Sequence, residues 1–192
     1  MIYTVMAFLI LIGFYGCYFL KMLKQKHQGI QTDQMGKGKT GFVKVIEITL
    51  KAVSILVPIF EIISIIMNWS MLPDWCRIIG CCLGAAGTVI FITAVLTMKE
   101  SWRAGVSKTE NTTLVTDGIF RFSRNPAFLG FDTVYLGLLL MFFNWPLLIV
   151  TCFAVLMFHL QIVNVEEDFL LVTFGDDYLN YKKHVNRYIG RR

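Results

Sequence analysis

Apolar residues in this chain gather into runs about twenty residues long, with little period-two alternation. The first run covers Met1 to about Leu20 and the second about Val43 to Trp69. The third covers about Cys76 to Met98, the fourth about Pro126 to Phe143 and the fifth about Pro146 to Val165. Each is long enough, or nearly so, to cross a hydrocarbon layer about 30 Å thick. The pattern predicts an all-α, polytopic membrane protein with about five transmembrane helices. Only Asn144 and Trp145 separate the last two runs before Pro146, so these two form an antiparallel hairpin. The first run has no basic leader and no small-residue cleavage site, and its positive charges follow it. It is expected to be an uncleaved anchor with its N-terminus outside.

Composition sharpens this reading. Of 192 residues, 56% are hydrophobic and 16% charged, against about 25% charged in soluble domains. A disordered chain, a collagen-like fibre and an ordinary water-soluble enzyme are excluded. The net charge is +5, and its placement matters more than its size. Lys21, Lys24, Lys26, Lys37 and Lys39 follow the first run. Lys99, Arg103, Lys108, Arg121 and Arg124 follow the third. Lys182, Lys183, Arg187, Arg191 and Arg192 lie in the tail. The connections at Pro73-Asp74 and Asn144-Trp145 carry almost no positive charge. Alternate loops are therefore basic, which predicts an outside N-terminus, a cytoplasmic C-terminus and polar chemistry on the cytoplasmic side. The same excess argues for a bilayer as partner and against nucleic acid. Five cysteines form no CxxC pair, so no metal site is expected.

Smaller signals place the connections. The Gln25–Gly41 segment, rich in Gln, Gly and Lys, reads as a flexible loop. Gly80, Gly84 and Gly87 put small residues on one side of the third helix, a signature of tight helix packing. Lys44, Glu47 and Lys51 are spaced for ion pairing along the second helix.

Three groups carry candidate chemistry. Thr116-Asp117-Gly118 is a turn signal, and Asn125-Pro126 marks a helix start, with Asn at the N-cap and Pro at the first position. Free N–H groups at that start, with Arg124 beside them, favour an anion such as a carboxylate. Glu166, Glu167 and Asp168 form an acidic cluster at a membrane boundary. Adjacent residues on a helix differ by about 100°, so at most one of the two glutamates points into the bundle. Glu61, Asp132, His159, Gln161 and Asn164 are polar residues inside apolar runs. Positions 159, 163, 166 and 170 share a helical face, which puts His159 and Glu166 on one stripe. Phe174-Gly175 ends a helix, and Tyr178, Tyr181, Val185 and Tyr188 recur on one face of an amphipathic helix after it.

Leu114-Val115-Thr116-Asp117-Gly118-Ile119-Phe120, then Arg124-Asn125-Pro126-Ala127-Phe128, an apolar hairpin, Glu166-Glu167 and Phe174-Gly175-Asp176-Asp177-Tyr178 stand in a fixed order. This set resembles the isoprenylcysteine carboxyl methyltransferase family, whose pattern related phospholipid methyltransferases share. The likeness covers about residues 99–190. It implies a membrane-embedded methyltransferase using S-adenosyl-L-methionine, with the cofactor on the cytoplasmic side. Thr112, Thr113, Leu114, Val115, Phe120, Asn125, Pro126, Ala127, Phe128 and Glu166 would line the cofactor site, with Trp102 to Val106 beside it. Glu166, Arg124 and His159 are the candidate catalytic residues. Residues 1–98 then supply three helices and a loop at about 21–42, and residues 99–192 the methyltransferase-like region.

Two positions depart from the family pattern. Asn125 stands where the family usually has histidine, and Ile162 where it tends to carry an arginine four residues before the first glutamate. The implied function is methyl transfer to a small apolar or lipid-like acceptor. Methylation of a phospholipid amine, with His159 as base, is an alternative. An NADPH-dependent membrane reductase and an inactive membrane interaction protein remain open too. The acceptor and the oligomeric state are not legible at this level.

Overall fold

The computed structural model describes residues 1–106 and 112–191. Lys108 and Arg192, counted above among the basic residues, lie outside these. The described residues form helices and turns, with two isolated bridges and no β-strand among them. Helix α1 spans Ile2–His27, α2 Gly41–Ile66, α3 Asp74–Met98, α4 Pro126–Met141, α5 Trp145–Gln161 and α6 Glu167–His184. A single π-helical turn, Ile162–Glu166, joins α5 to α6. The first five helices match the five apolar runs. Four helical stretches are long and apolar enough to cross a membrane, and α4 is a shorter apolar helix. Exposed Leu9, Ile12, Ile48, Ile55, Val89 and Ile149 stud the outside of the bundle. Such a surface is stable only against lipid.

The tightest packing is between α3 and α4. A Cβ added at Gly137 would stand 2.5 Å from Gly84 N, and one at Gly130 would stand 2.8 Å from Phe91 Cβ. One at Gly87 would stand 2.8 Å from Val134 N. The small-residue face expected on α3 therefore meets a second glycine pair on α4, backbone against backbone. Phe91 of α3 continues the contact into an aromatic knot with Phe14 at 4.6 Å and Phe131 at 5.1 Å between ring centroids.

Helices α2 and α5 run antiparallel along a second seam. Glu47, Leu50, Val57, Glu61 and Ser64 are buried on α2, and Leu147, Thr151, Ala154, Phe158 and Gln161 on α5. Both sets recur at three- and four-residue steps, the spacing of interlocking helices. Polar bonds pin the two ends. Asn144 Nδ2 donates to Ser64 Oγ at 2.8 Å, and Gln161 Nε2 donates to Glu47 Oε1 at 3.3 Å. Asn144 Oδ1 also accepts from Leu147 N at 2.9 Å, capping α5.

Three local expectations change. Gln25–Gly41, expected to be flexible, is stitched down: Ala104 N donates to Thr32 O at 3.0 Å, and Gln34 N donates to Ala104 O at 2.9 Å. Glu47 pairs with Lys39 and accepts from Gly36 N at 2.6 Å, while Lys51 pairs with Asp33. The Lys44–Glu47–Lys51 ladder does not form because Glu47 is fully buried and turned toward α5. Asn125 sits at the N-cap of α4, but its side chain does not cap; Nδ2 donates to Arg187 O at 3.1 Å instead. The break expected at Gly175 is present, with φ 50° and ψ −121°.

The α3–α4 contact is directly testable. Gly137→Val should lower stability in detergent by about 3 kcal/mol, because backbone on both sides blocks the added atoms. Gly16→Ala, with nothing within 4 Å, should change it by less than about 1 kcal/mol. Chemical unfolding of both variants beside the parent measures this; equal midpoints would remove the close approach.

Candidate functional site

A cavity of about 270 Å³ lies at one end of the bundle. Ala127, Phe128 and Phe131 of α4 and Phe158 and Gln161 of α5 form one wall. Tyr15, Tyr18 and Phe19 of α1 and Ser54 and Ile55 of α2 form the other. Trp102 to Gly105, which follow α3, close the end together with Asp33 and Met35 from the α1–α2 loop. Two of the lining residues, Phe19 and Ile55, are more than half exposed on the outer face of the bundle. The cavity therefore borders the outer face of the bundle at α1 and α2. Its wall is mostly aromatic and aliphatic, with Lys51, Arg103, Asp33 and Gln161 supplying polar groups.

The start of α4 faces this space. Pro126 occupies the first helical position and has no N–H. The N–H groups of Ala127 and Phe128 have no intrahelical acceptor, and both residues line the cavity. On the same wall, Gln161 is buried, and its Oε1 has no partner among the described residues. Its amide donates to Glu166 Oε1 at 3.2 Å. A free donor pair and an unfilled acceptor thus share one wall.

The adjacent glutamates divide sharply. Glu166 belongs to the Gln161–Glu47–Lys39 chain beside the cavity. Glu167 turns to the opposite side and meets three cations. Arg124 Nη2 lies at 3.1 Å, Arg187 Nε at 2.7 Å and Lys182 Nζ at 3.2 Å. Arg124 also donates to Tyr178 Oη at 2.6 Å. This cluster binds the start of α4 to α6 and the tail. The tail itself is tied down by Arg124 N donating to Asn186 O at 3.1 Å and Gly190 N donating to Phe122 O at 2.8 Å. Burial pushes the Glu167 carboxyl up, but Arg187, Arg124 and Lys182 outweigh it and hold it below the usual carboxylate range. Beside it, the Glu167 carboxylate raises the Arg187 guanidinium further.

The remaining candidates spread out. Thr113 Oγ1 and Ser101 Oγ lie 3.1 Å apart. Thr112 Oγ1 is buried with no partner among the described residues. Leu114 lines a separate polar cleft with Thr116, Asp117 and Tyr181. Phe120 is buried, and its carbonyl accepts from Tyr181 Oη at 2.6 Å. His159 Nδ1 lies 2.7 Å from Tyr188 Oη. The stripe expected to hold both His159 and Glu166 does not exist. The π turn at 162–166 interrupts the regular helix between them, and the two side chains meet different partners, Tyr188 and Gln161. Residues whose site partners sequence reasoning missed include Glu47, Tyr178 and Arg187, each joined to a residue 20 or more positions away, and Lys39, which pairs with Glu47. The N-terminal half, expected to add only helices, supplies half of the cavity wall.

Comparison with known proteins fits this architecture. A family model described as phospholipid methyltransferase matches residues 75–177, more than half of the chain. The chain belongs to that family. It is similar to the protein-S-isoprenylcysteine O-methyltransferase of Saccharomyces cerevisiae, with 30% identity over 122 residues, covering 62% of this chain and 51% of the relative. The enzyme of that name from Xenopus laevis is 30% identical over 113 residues, covering 58% of this chain and 39% of its own length. Protein-S-isoprenylcysteine O-methyltransferase B of Arabidopsis thaliana is 26% identical over 138 residues, 70% of each chain. The chain thus spans about half or less of the yeast and frog relatives. The family match takes in α3, α4, α5 and the Arg124–Glu167 pair.

Glu167→Gln should cost about 3 kcal/mol at neutral pH, because it leaves buried Arg124 without its counter-charge. The folded carboxyl titrates below its usual value of 4.5. Its contribution is therefore full above that value and is lost as pH falls through the lowered folded value. Unfolding measured from pH 7 downward should show the parent and variant converging in acid. A gap that persists there would exclude the ion-pair cluster as its cause.

Proposed function

We propose that this chain is an integral-membrane methyltransferase that transfers a methyl group from S-adenosylmethionine to an apolar or lipid-like acceptor. The observation that carries this reading is one cavity lined both by Ala127 and Phe128, at the start of α4, and by Gln161, whose Oε1 has no partner among the described residues. That arrangement suits an amino-acid zwitterion: a carboxylate at the positive end of α4 and an ammonium at Gln161. Glu166, held by Gln161, adds negative charge beside the ammonium. S-adenosylmethionine supplies an activated methyl group on a sulfonium centre. Phe128 offers an aromatic face to its adenine, and Thr112 has a hydroxyl to spare.

The protein's own task is placement. Methyl transfer is an in-line displacement, and holding both partners in register supplies most of the rate. The cavity's border with the outer face at α1 and α2 is where an apolar chain enters from the bilayer, and the aromatic wall excludes water from the reacting centre. Alternate basic loops support a cytoplasmic site with the N-terminus outside. In this reading residues 99–192 hold the donor, and α1 and α2 of the 1–98 region shape the acceptor side. Arg124, joined to Glu167 and Tyr178, positions the start of α4 and does not line the cavity. His159, joined to Tyr188, stands outside the lining as well.

The purified protein should bind S-adenosylhomocysteine in detergent. Glu166→Ala should weaken that binding about tenfold, in line with the loss of a charge-assisted hydrogen bond. Isothermal titration reads both. No binding by the folded parent would overturn the methyltransferase reading, and binding of NADPH in its place would favour a reductase.

A further inference from the structure

One chain of hydrogen bonds runs from the α1–α2 loop into the cavity wall. Glu47 of α2 is fully buried. It pairs with Lys39, whose side chain is itself only 8% exposed, and its Oε2 accepts from Gly36 N at 2.6 Å. Gly36 turns at φ 74° to present that N–H, a conformation other residues rarely adopt. Glu47 Oε1 also accepts from Gln161 Nε2 at 3.3 Å, and the same nitrogen donates to Glu166 Oε1 at 3.2 Å. The loop that carries Gly36 and Lys39 is held in turn by the backbone bonds of Thr32 and Gln34 to Ala104.

An amide nitrogen carries two hydrogens and its oxygen none. Both hydrogens of Gln161 are engaged by the two carboxylates. The reverse orientation would set the amide oxygen against two acceptors and take a donor from each. Glu166 alone would resist that rotation with a single bond, and Glu47 supplies the second. The amide is therefore locked, and its Oε1 stays an acceptor. That oxygen is buried, has no partner among the described residues and belongs to a residue lining the cavity. A buried acceptor without a donor is costly, and a ligand that brings a donor relieves the cost.

We propose that Glu47, with Lys39, is a positioning residue for the methyl donor. It fixes the Gln161 amide so that its oxygen is available to the donor's ammonium and its nitrogen is not. The inference rests on the cavity being the donor site. Residues 36–47 lie outside the stretch that the family model matches, so the N-terminal half takes part in donor recognition as well as in shaping the acceptor side. Glu47, paired with Lys39, serves as an acceptor alone, and that single sense is what sets the amide.

Two ligands that differ by one group test this: S-adenosylhomocysteine and 5′-S-(3-carboxypropyl)-5′-thioadenosine, which lacks only the amino group. Each is titrated calorimetrically into the full chain in detergent. The parent should bind the amino compound about tenfold more tightly. Lys39→Met combined with Glu47→Gln removes one charge of each sign. The introduced amide keeps its oxygen on Gly36 N and turns its hydrogens toward Gln161, which opposes the locked orientation. This variant should lower the ratio to about two, while the deaminated compound binds as it does to the parent. A role confined to packing would weaken both ligands together or neither. Gln161→Met should lower the ratio as far, and adding the paired substitutions to it should lower it no further. If the first variant does not fold, Lys39→Met with Glu47→Met, an apolar replacement of the whole ion pair, carries the same comparison. A parent without preference, a ratio unchanged in the folded variant, equal loss of both ligands, or a further fall on top of Gln161→Met would overturn the proposal. A parent that binds neither ligand overturns the donor-site reading and this inference with it. Binding with an unchanged ratio overturns the inference alone.

Discussion

The backbone contact between α3 and α4 governs where the site can form. Glycine on both helices lets the chains meet without intervening side chains, and dispersion and close packing do the holding in a medium where apolar burial gives no advantage. That contact fixes the start of α4, and the segment leaving α3 is fixed with it. Trp102 to Gly105 then stand opposite Ala127 and Phe128. A side chain between the two helices would displace one wall of the cavity relative to the other. A misplacement of about an ångström already weakens positioning catalysis severely.

Neighbouring glutamates show how one local irregularity sorts charge. Glu166 ends the π turn and Glu167 begins α6. The widened turn lets one carboxylate serve the cavity side and the other neutralise Arg124, Arg187 and Lys182. A regular helix would separate the two by a similar angle, but it would return Glu166 to the face of His159. The π turn is therefore what keeps His159 with Tyr188 and Glu166 with Gln161. The Ile162 side chain is fully buried in this turn.

The helices were readable from the chain because their apolar runs are long and their ends are marked. Pro126, Asn144 and Gly175 each stop or start a helix for a local steric or hydrogen-bonding reason. The glycine face of α3 was readable too, although its partner on α4 was not. What escaped was every pairing across distance. Glu47 looked like one rung of a lysine ladder, and only the fold shows it facing Gln161, 114 positions away. The loop before α2 looked flexible because composition does not register that Ala104 pairs with its backbone. Of the candidate donor-site residues, Ala127 and Phe128 line the cavity and Gln161 links Glu166 to it, while Leu114 and Phe120 face other partners.

The short length of α4 has a further consequence. Its 16 residues rise about 24 Å, against a hydrocarbon layer of about 30 Å. A bilayer around this helix must thin, or let water sink inward, by several ångströms shared between its ends. Polar solutes and lipid tails then reach a common depth at the rim of the protein, where elsewhere the headgroup zone keeps them apart.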